Sequence, residues 1–274
     1  DDEVDIVSVT TPNFLHASDA IAAAEAGKHI ALEKPAGIHE EELDELAAAV
    51  AKAGVKSVMS YVLRWNQQVV NVKNLVARGA LGELFYCETD YWHGVVSVIR
   101  ADRWIAKKEL AGSAMLTGGC HAVDMARNFM GEVASVTAHS HNNPSLGFEY
   151  DTATVCTFEY ESGAIGKTSS ILEIVAPYRF NVIVMGSEGT ALGNQLYSRV
   201  LMPEQQDFVE IPCITPNSGD VAHHPFQQEI DYLVECLQTG EDCVPDIADG
   251  IRTSRVCLAA DRSAANGGRP EEPR

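Results

Sequence analysis

Two residues of this 274-residue chain stand where acid–base groups could do chemistry. The first is Lys34, in the stretch KHIALEKPAG (Lys28 to Gly37), where an apolar run, Ile30-Ala31-Leu32, ends abruptly in Glu33, Lys34 and Pro35. Pro35 lacks an amide donor and keeps the residue before it extended, so Lys34 is aimed rather than floppy. A cis Lys-Pro bond would sharpen that placement. A lysine after a strand is ordinarily just solvated, but the carboxyl end of a parallel strand is where α/β folds bind their ligands. The second is His121, in MLTGGCHAVDMARNFMG. With Thr117 as N-cap, the helix buries Ala122, Met125, Ala126 and Phe129 at helical spacing. His121 and Asp124 are then neighbours on one face, and Asn128 continues the stripe. Gly118 and Gly119, poor helix formers, suit a place where backbone comes close to something else. A packed, hydrogen-bonded histidine is the plain account of His121. The sharper one is an imidazole working as acid or base near neutral pH.

The elements that must position these two come in two styles. Val4 to Val9 is a short buried strand, TTPNFLH a loop, and a helix runs from near Leu15 to Gly27. HIALE is the next strand, Glu40 to Lys52 the next helix, closed by Gly54, and VKSVMSY a third strand. Strand and helix alternate with tight connections, which implies parallel strands and right-handed crossovers. After a helix from about Asn66 to Arg78 the period changes to two. LFYCETDYWHG, SVTAHSH, TATVCTFEYESG, AIGKTSSILEI and FNVIVMGSEG read as strands of a large, mainly antiparallel sheet. Helices at about Gly118–Met130 and Pro225–Gln238 interrupt it, and a last one, Ile247 to Ala265, packs back on the first domain. The tail NGGRPEEPR is polar and loose. The expected fold class is therefore α/β: half of a doubly wound parallel domain over residues 1–63, then an α+β domain over residues 64–274. No linker separates them, so a cleft belongs at their interface.

Composition excludes some functions. A formal net charge of −19 argues against nucleic acid or an anionic membrane as partner, since both need a basic face. Seven scattered cysteines without a CxxC pair read as reduced thiols in a cytoplasm, not as a disulfide framework or zinc site. His139 and His141 share a strand face, as a metal pair might, but no third ligand follows at matching spacing, and no metal is expected. His223 and His224 precede a helix and could cap it or face the cleft.

In order along the chain, TTPNFLH, AGKHIALEKPAG, SYVLRWN, GALGEL, the GGCHAVD helix, GSEGT and AADRSAANGG resemble the Gfo/Idh/MocA family of oxidoreductases. The resemblance runs from residue 4 to about residue 268, and its most specific part is EKP with its distance to the later histidine. It implies a Rossmann domain for NAD or NADP, and a second domain whose open sheet commonly makes a homodimer or homotetramer. It also implies oxidation or reduction at a hydroxyl carbon of a sugar, glycoside or cyclitol. Lys34 matches the family's catalytic lysine and Glu33 its cofactor-holding neighbour. Thr11, Pro12, Asn13 and His16 match the loop along the nicotinamide, and Arg64 a position near nicotinamide and substrate. His121 matches the histidine that pairs with the substrate hydroxyl. Trp92, His93, Arg103 and Trp104 lie where relatives line the sugar pocket, with Thr117 and Asp124 beside His121.

Two departures stand out. Many relatives carry an aspartate where this chain has Thr117, which cannot orient His121 by charge. The GxGxxG turn that opens the family's Rossmann domain is not found upstream of Val4, and GSEGTALG sits too late to replace it. The simplest reading is a sequence that starts inside a protein about 70 residues longer, two βα units of roughly 30 residues each. The rivals are a relative that uses the cofactor transiently to cleave a glycosidic bond with no net redox change, and a cofactor-less sugar-binding paralogue.

Overall fold

The structure, a computed structural model, describes residues 1–95, 103–217 and 224–274. Strands β1 (Ile6–Val9), β2 (His29–Leu32) and β3 (Ser57–Met59) form a parallel sheet in the order β1-β2-β3. Val9, Leu32 and Met59 lie in register at its carboxyl edge. Helices α1 (His16–Glu25) and α2 (Glu40–Ala53) make the crossovers. Ile30-Ala31-Leu32 of β2 and all of β3 are buried, as strands covered on both faces are, whereas Ser8 of β1 is exposed. Glu42 ties down the start of α2 by accepting the His39 amide at 2.8 Å, and Gly54, at φ +63°, ends that helix. Helix α3 (Gln67–Ala77) follows, capped by the Asn66 side chain.

The second sheet has eight strands: β4 (Leu84–Trp92), β5 (Val133–His141), β6 (Ala153–Tyr160), β7 (Ile165–Ile171), β8 (Arg179–Gly186), β9 (Gly189–Leu192), β10 (Gln195–Ser198) and β11 (Val209–Glu210). Their order is β11-β10-β9-β8-β4-β7-β6-β5, and every pair is antiparallel except β4 with β7. The three last strands are absent from the sequence reading because they are too short to display a period. Helices α4 (Lys108–Ala111), α5 (Cys120–Met130), α6 (Phe226–Thr239) and α7 (Ile247–Ala265) complete the described chain.

One face of this sheet carries α5 and α7. Thr89 Oγ1 donates to the Ala122 carbonyl of α5 at 2.9 Å, and the Ala138 amide donates to Ser263 Oγ of α7 at 2.9 Å. Helix α7 also reaches the parallel sheet, where the Ile247 amide donates to Ser57 Oγ at 3.1 Å and the Ala36 amide to Ser254 Oγ at 3.3 Å. One apolar cluster, including Leu32, Leu116, Val123, Val136, Phe158 and Cys257, therefore joins the two sheets.

Two expectations are corrected. Thr117 is no N-cap, because a π-helical turn, Met115–Gly119, runs straight into α5. The tail is not loose, because Glu271 and Val136 exchange two backbone hydrogen bonds of 2.9 Å and extend the edge at β5. His223 lies outside the described residues.

Candidate functional site

Lys34 leaves the carboxyl end of β2 half-buried, after which the Lys34–Pro35 bond is cis. Its Nζ donates to the carbonyl of Thr117 at 2.9 Å. That bond joins the parallel sheet to the π-helical turn before His121. Asn13 makes a parallel link, since its Nδ2 and Thr117 Oγ1 both donate to the Ala111 carbonyl, at 3.0 and 3.3 Å. His16 clips the two loops together, its ring nitrogens lying 2.8 Å from the Pro35 carbonyl and 2.6 Å from that of Thr11. Burial lowers the His16 pKa by more than those carbonyls raise it. Thr11 itself is exposed and donates to Asp19 at 2.8 Å.

His121 is 6% exposed, and its Nδ1 has no hydrogen-bond partner among the described residues. An orphan buried polar atom costs about 1–3 kcal/mol, a cost more usual at a functional site than in a core. The Tyr91 ring stacks on the imidazole, with centroids 5.8 Å apart and an 18° interplanar angle, and Tyr61 meets it edge-on at 6.1 Å. His224 approaches at 6.4 Å. Burial, then the charges of Lys34, His224 and His93, hold the His121 pKa well below its ordinary value. The ring is thus held neutral, with one nitrogen unfilled, beside an ammonium that suits a negative oxygen.

Close packing explains Gly118: a Cβ there would lie 2.7 Å from Tyr91 Cδ1 and 3.1 Å from Leu172. Tyr91 OH lies 2.9 Å from His93 Nδ1, and Tyr178 packs against both rings at 5.7 and 5.2 Å. The alternation of β4 sends Trp92 to the opposite face, where its Nε1 donates to Ser169 Oγ at 2.8 Å. Only His93 of that pair faces His121, which corrects the expectation that both line one pocket. Trp104 packs against the core of the second domain, and Arg103 is exposed.

Arg64 and Asp124 face each other. Arg64 Nε and Nη2 grip Asp124 at 2.9 and 2.5 Å, and Nη2 also reaches Asp249 of α7 at 2.6 Å. Burial works against the guanidinium, but these carboxylates outweigh it and raise its pKa. Arg127 extends the network to Asp249 at 3.1 Å and Glu132 at 2.7 Å. Both Asp124 oxygens are occupied by Arg64, so this pair binds the segment after β3 to α5 and α7. Tyr91 and Tyr178 are not among the residues that the sequence motifs single out, and His224 is open there between a helix cap and the cleft. Tyr91 was accessible through period two, since it shares a strand face with His93.

Residues 1–61 match the model of the oxidoreductase family's NAD-binding Rossmann fold, and residues 69–192 match that of the GFO/IDH/MocA C-terminal domain. The chain is also 30% identical to the uncharacterized oxidoreductase ORF334 of Rhizobium meliloti, over 97% of this chain and 80% of that one. It belongs to the Gfo/Idh/MocA family. Another relative is the scyllo-inositol 2-dehydrogenase (NAD(+)) of Bacillus subtilis, 25% identical over 97% of this chain and 77% of that one. The crystal structure of an NAD binding oxidoreductase from Klebsiella pneumoniae superposes with a TM-score of 0.87 at 25% identity, covering 100% of this chain and 81% of that one.

A Gfo/Idh/MocA oxidoreductase uses a nicotinamide cofactor, and the residues present fit the nicotinamide half of one. The Thr11–His16 loop, Glu33 and Lys34 meet at the carboxyl edge of the parallel strands, the usual dinucleotide position. His121, whose Nδ1 is an orphan, follows the π-helical turn that Lys34 holds through the Thr117 carbonyl. Among the described residues, no group of three His, Cys, Asp or Glu could hold a metal ion, and no helix is long and apolar enough to cross a membrane.

Proposed function

We propose that this chain carries out hydride exchange between NAD or NADP and a hydroxyl carbon of a sugar, glycoside or cyclitol. The observation that carries the reading is the Lys34–Thr117 bond, which brings an ammonium and a neutral buried imidazole to one edge of the Rossmann sheet. The nicotinamide ring, when bound, takes or gives the hydride. A substrate hydroxyl donating to the imidazole of His121 fills its vacant hydrogen-bonding capacity and gives up its proton there. Lys34 Nζ stabilises the developing alkoxide by charge and hydrogen bonding. His93, Tyr91, Tyr178 and His224 supply ring faces and polar edges suited to a polyhydroxylated ring. The scyllo-inositol dehydrogenase among the relatives supports the cyclitol end of this range.

Calorimetric titration with NAD⁺ and NADP⁺, followed by a panel of sugars and cyclitols read at the NADH or NADPH absorbance, tests the proposal. Accumulation of reduced cofactor with a polyol is the expected result. Substrate conversion without accumulation points instead to redox-neutral glycoside cleavage, and failure to bind either dinucleotide removes the dehydrogenase reading. Self-association is part of the proposal. Val155, Ile165 and Leu192 lie on the face of the large sheet opposite α5 and α7, at 44%, 55% and 39% exposure, an apolar surface suited to a second copy. Light scattering should show a dimer or tetramer.

A further inference from the structure

We propose that Glu229 is a charge partner of the nicotinamide ring, neutral beside the reduced ring and ionised beside the oxidised, cationic one. This rests on the reading of the site given above. Glu229 sits in the first turn of α6 and is 1% exposed. Ser60 Oγ donates to its Oε1 at 2.7 Å, while Oε2 has no partner among the described residues. A carboxylate buried with one donor is poorly compensated, whereas a carboxylic acid in the same place is tolerable.

Its position links it to the reacting edge. Ser60 follows β3, and its amide donates to the carbonyl of Leu32, the residue before Glu33, at 2.8 Å. Glu33 in turn accepts the Lys34 amide at 3.2 Å. Glu229 therefore hangs at the carboxyl ends of β2 and β3, next to the residues that meet the cofactor. Five residues earlier in the chain, His224 turns its ring toward His121.

Burial raises the Glu229 pKa to about 7, the Ser60 hydrogen bond opposes that, and the charge of Glu33 adds to it. From the segment on which α6 packs, Arg64 is committed to Asp124 and Asp249, and Trp65 meets Tyr232 of α6 at a tilt of 55° with centroids 5.6 Å apart. Glu33 is thus the charged residue that faces Glu229 from the strand ends.

An oxidised nicotinamide ring carries one positive charge, and a reduced ring carries none. The cation favours the carboxylate, so Glu229 releases its proton to solvent as the oxidised cofactor binds. By linkage, affinity for the oxidised form must rise with pH across the titration of Glu229, while affinity for the reduced form does not. Glu229 would then bias the enzyme toward oxidation in alkaline conditions and toward reduction in acidic ones.

The test is calorimetry of the chain with the oxidised and reduced forms of the dinucleotide it binds, one pH unit below and one above the value for Glu229. Two buffers of different ionisation enthalpy at each pH count the protons released. The expected result is an oxidised-to-reduced affinity ratio that rises several-fold with pH, up to roughly tenfold for each unit by which the cation lowers Glu229. Proton release should accompany only the oxidised form. In Glu229→Gln, nearly isosteric and unable to ionise, the ratio should be flat and the proton absent. A pH-independent ratio in the wild type, or an unchanged one in E229Q, overturns the proposal and leaves the dehydrogenase reading standing. Binding of neither form overturns both. Infrared spectroscopy of the cofactor-free protein adds an independent check. Burial also raises Asp261, on α7, to about 7, so the protonated-carboxyl band lost as pH rises through about 7 must be weaker in E229Q than in the wild type, and bands of equal intensity in the two overturn the proposal.

Discussion

Lys34 Nζ and the Thr117 carbonyl, 83 residues apart in sequence, are joined by a 2.9 Å hydrogen bond. The bond fixes the ammonium between β2 and the turn that presents His121. If that ammonium stabilises a developing alkoxide, its contribution belongs to the transition state and not to cofactor binding. Lys34→Met should lower kcat on the order of 10²- to 10³-fold, as loss of a preorganised charge does, with little change in dinucleotide affinity. Steady-state rates alongside calorimetry separate the two. Undiminished kcat in K34M removes the lysine from the chemistry.

His121 makes a prediction in pH. Its pKa is lowered by burial and by Lys34, His224 and His93, so the acid limb of kcat/KM should fall below the ordinary histidine value of about 6.5. The same depression enters stability. Below about 6.5 the unfolded imidazole takes a proton that the folded one refuses, so stability drops as pH falls from there toward the folded pKa. His16, lowered in the same direction, adds to the decline. His121→Asn should reduce kcat by about 10²- to 10⁴-fold and make Tm less steep below that pH. An acid limb that stays put in H121N assigns the titration to another group.

Much of this was legible in the sequence, for local reasons. Apolar runs ending in glycine or proline located the parallel strands, and Pro35 singled out Lys34. Long-range geometry was less legible. Thr117 sits inside a π-helical turn, and its carbonyl accepts from Lys34, 83 residues away, a contact no local pattern encodes. Glu229 reads as an ordinary polar residue of an amphipathic helix, yet it is buried and accepts from Ser60, 169 residues away. The tail looked loose by composition because Glu271 is held through its backbone, which composition does not report.

Arg64 and Asp124 let structural and substrate roles be told apart. Removing one partner of a buried pair strands the other, at a cost of about 3–5 kcal/mol. Asp124→Asn should therefore lower Tm by many degrees, because Arg64 then keeps only Asp249. The KM for substrate in the folded fraction should change little. A raised KM with unaltered Tm would instead make Asp124 a substrate ligand.

Gly118→Ala tests whether the Tyr91–His121 stack matters to activity. The added methyl would lie 2.7 Å from Tyr91 Cδ1 and 3.1 Å from Leu172, so either the ring or the π-helical turn must move. Overpacking of this kind costs roughly 1–3 kcal/mol. More telling is its direction, since the ring displaced is the one that stacks on the imidazole. Gly131→Ala is the matched control. It places a methyl in open space at the end of α5, but at φ +84°, a conformation that alanine resists. G131A should lose stability and retain kcat per folded molecule, whereas G118A should lose both. Equal kcat in the two variants would show that the stack only fills space.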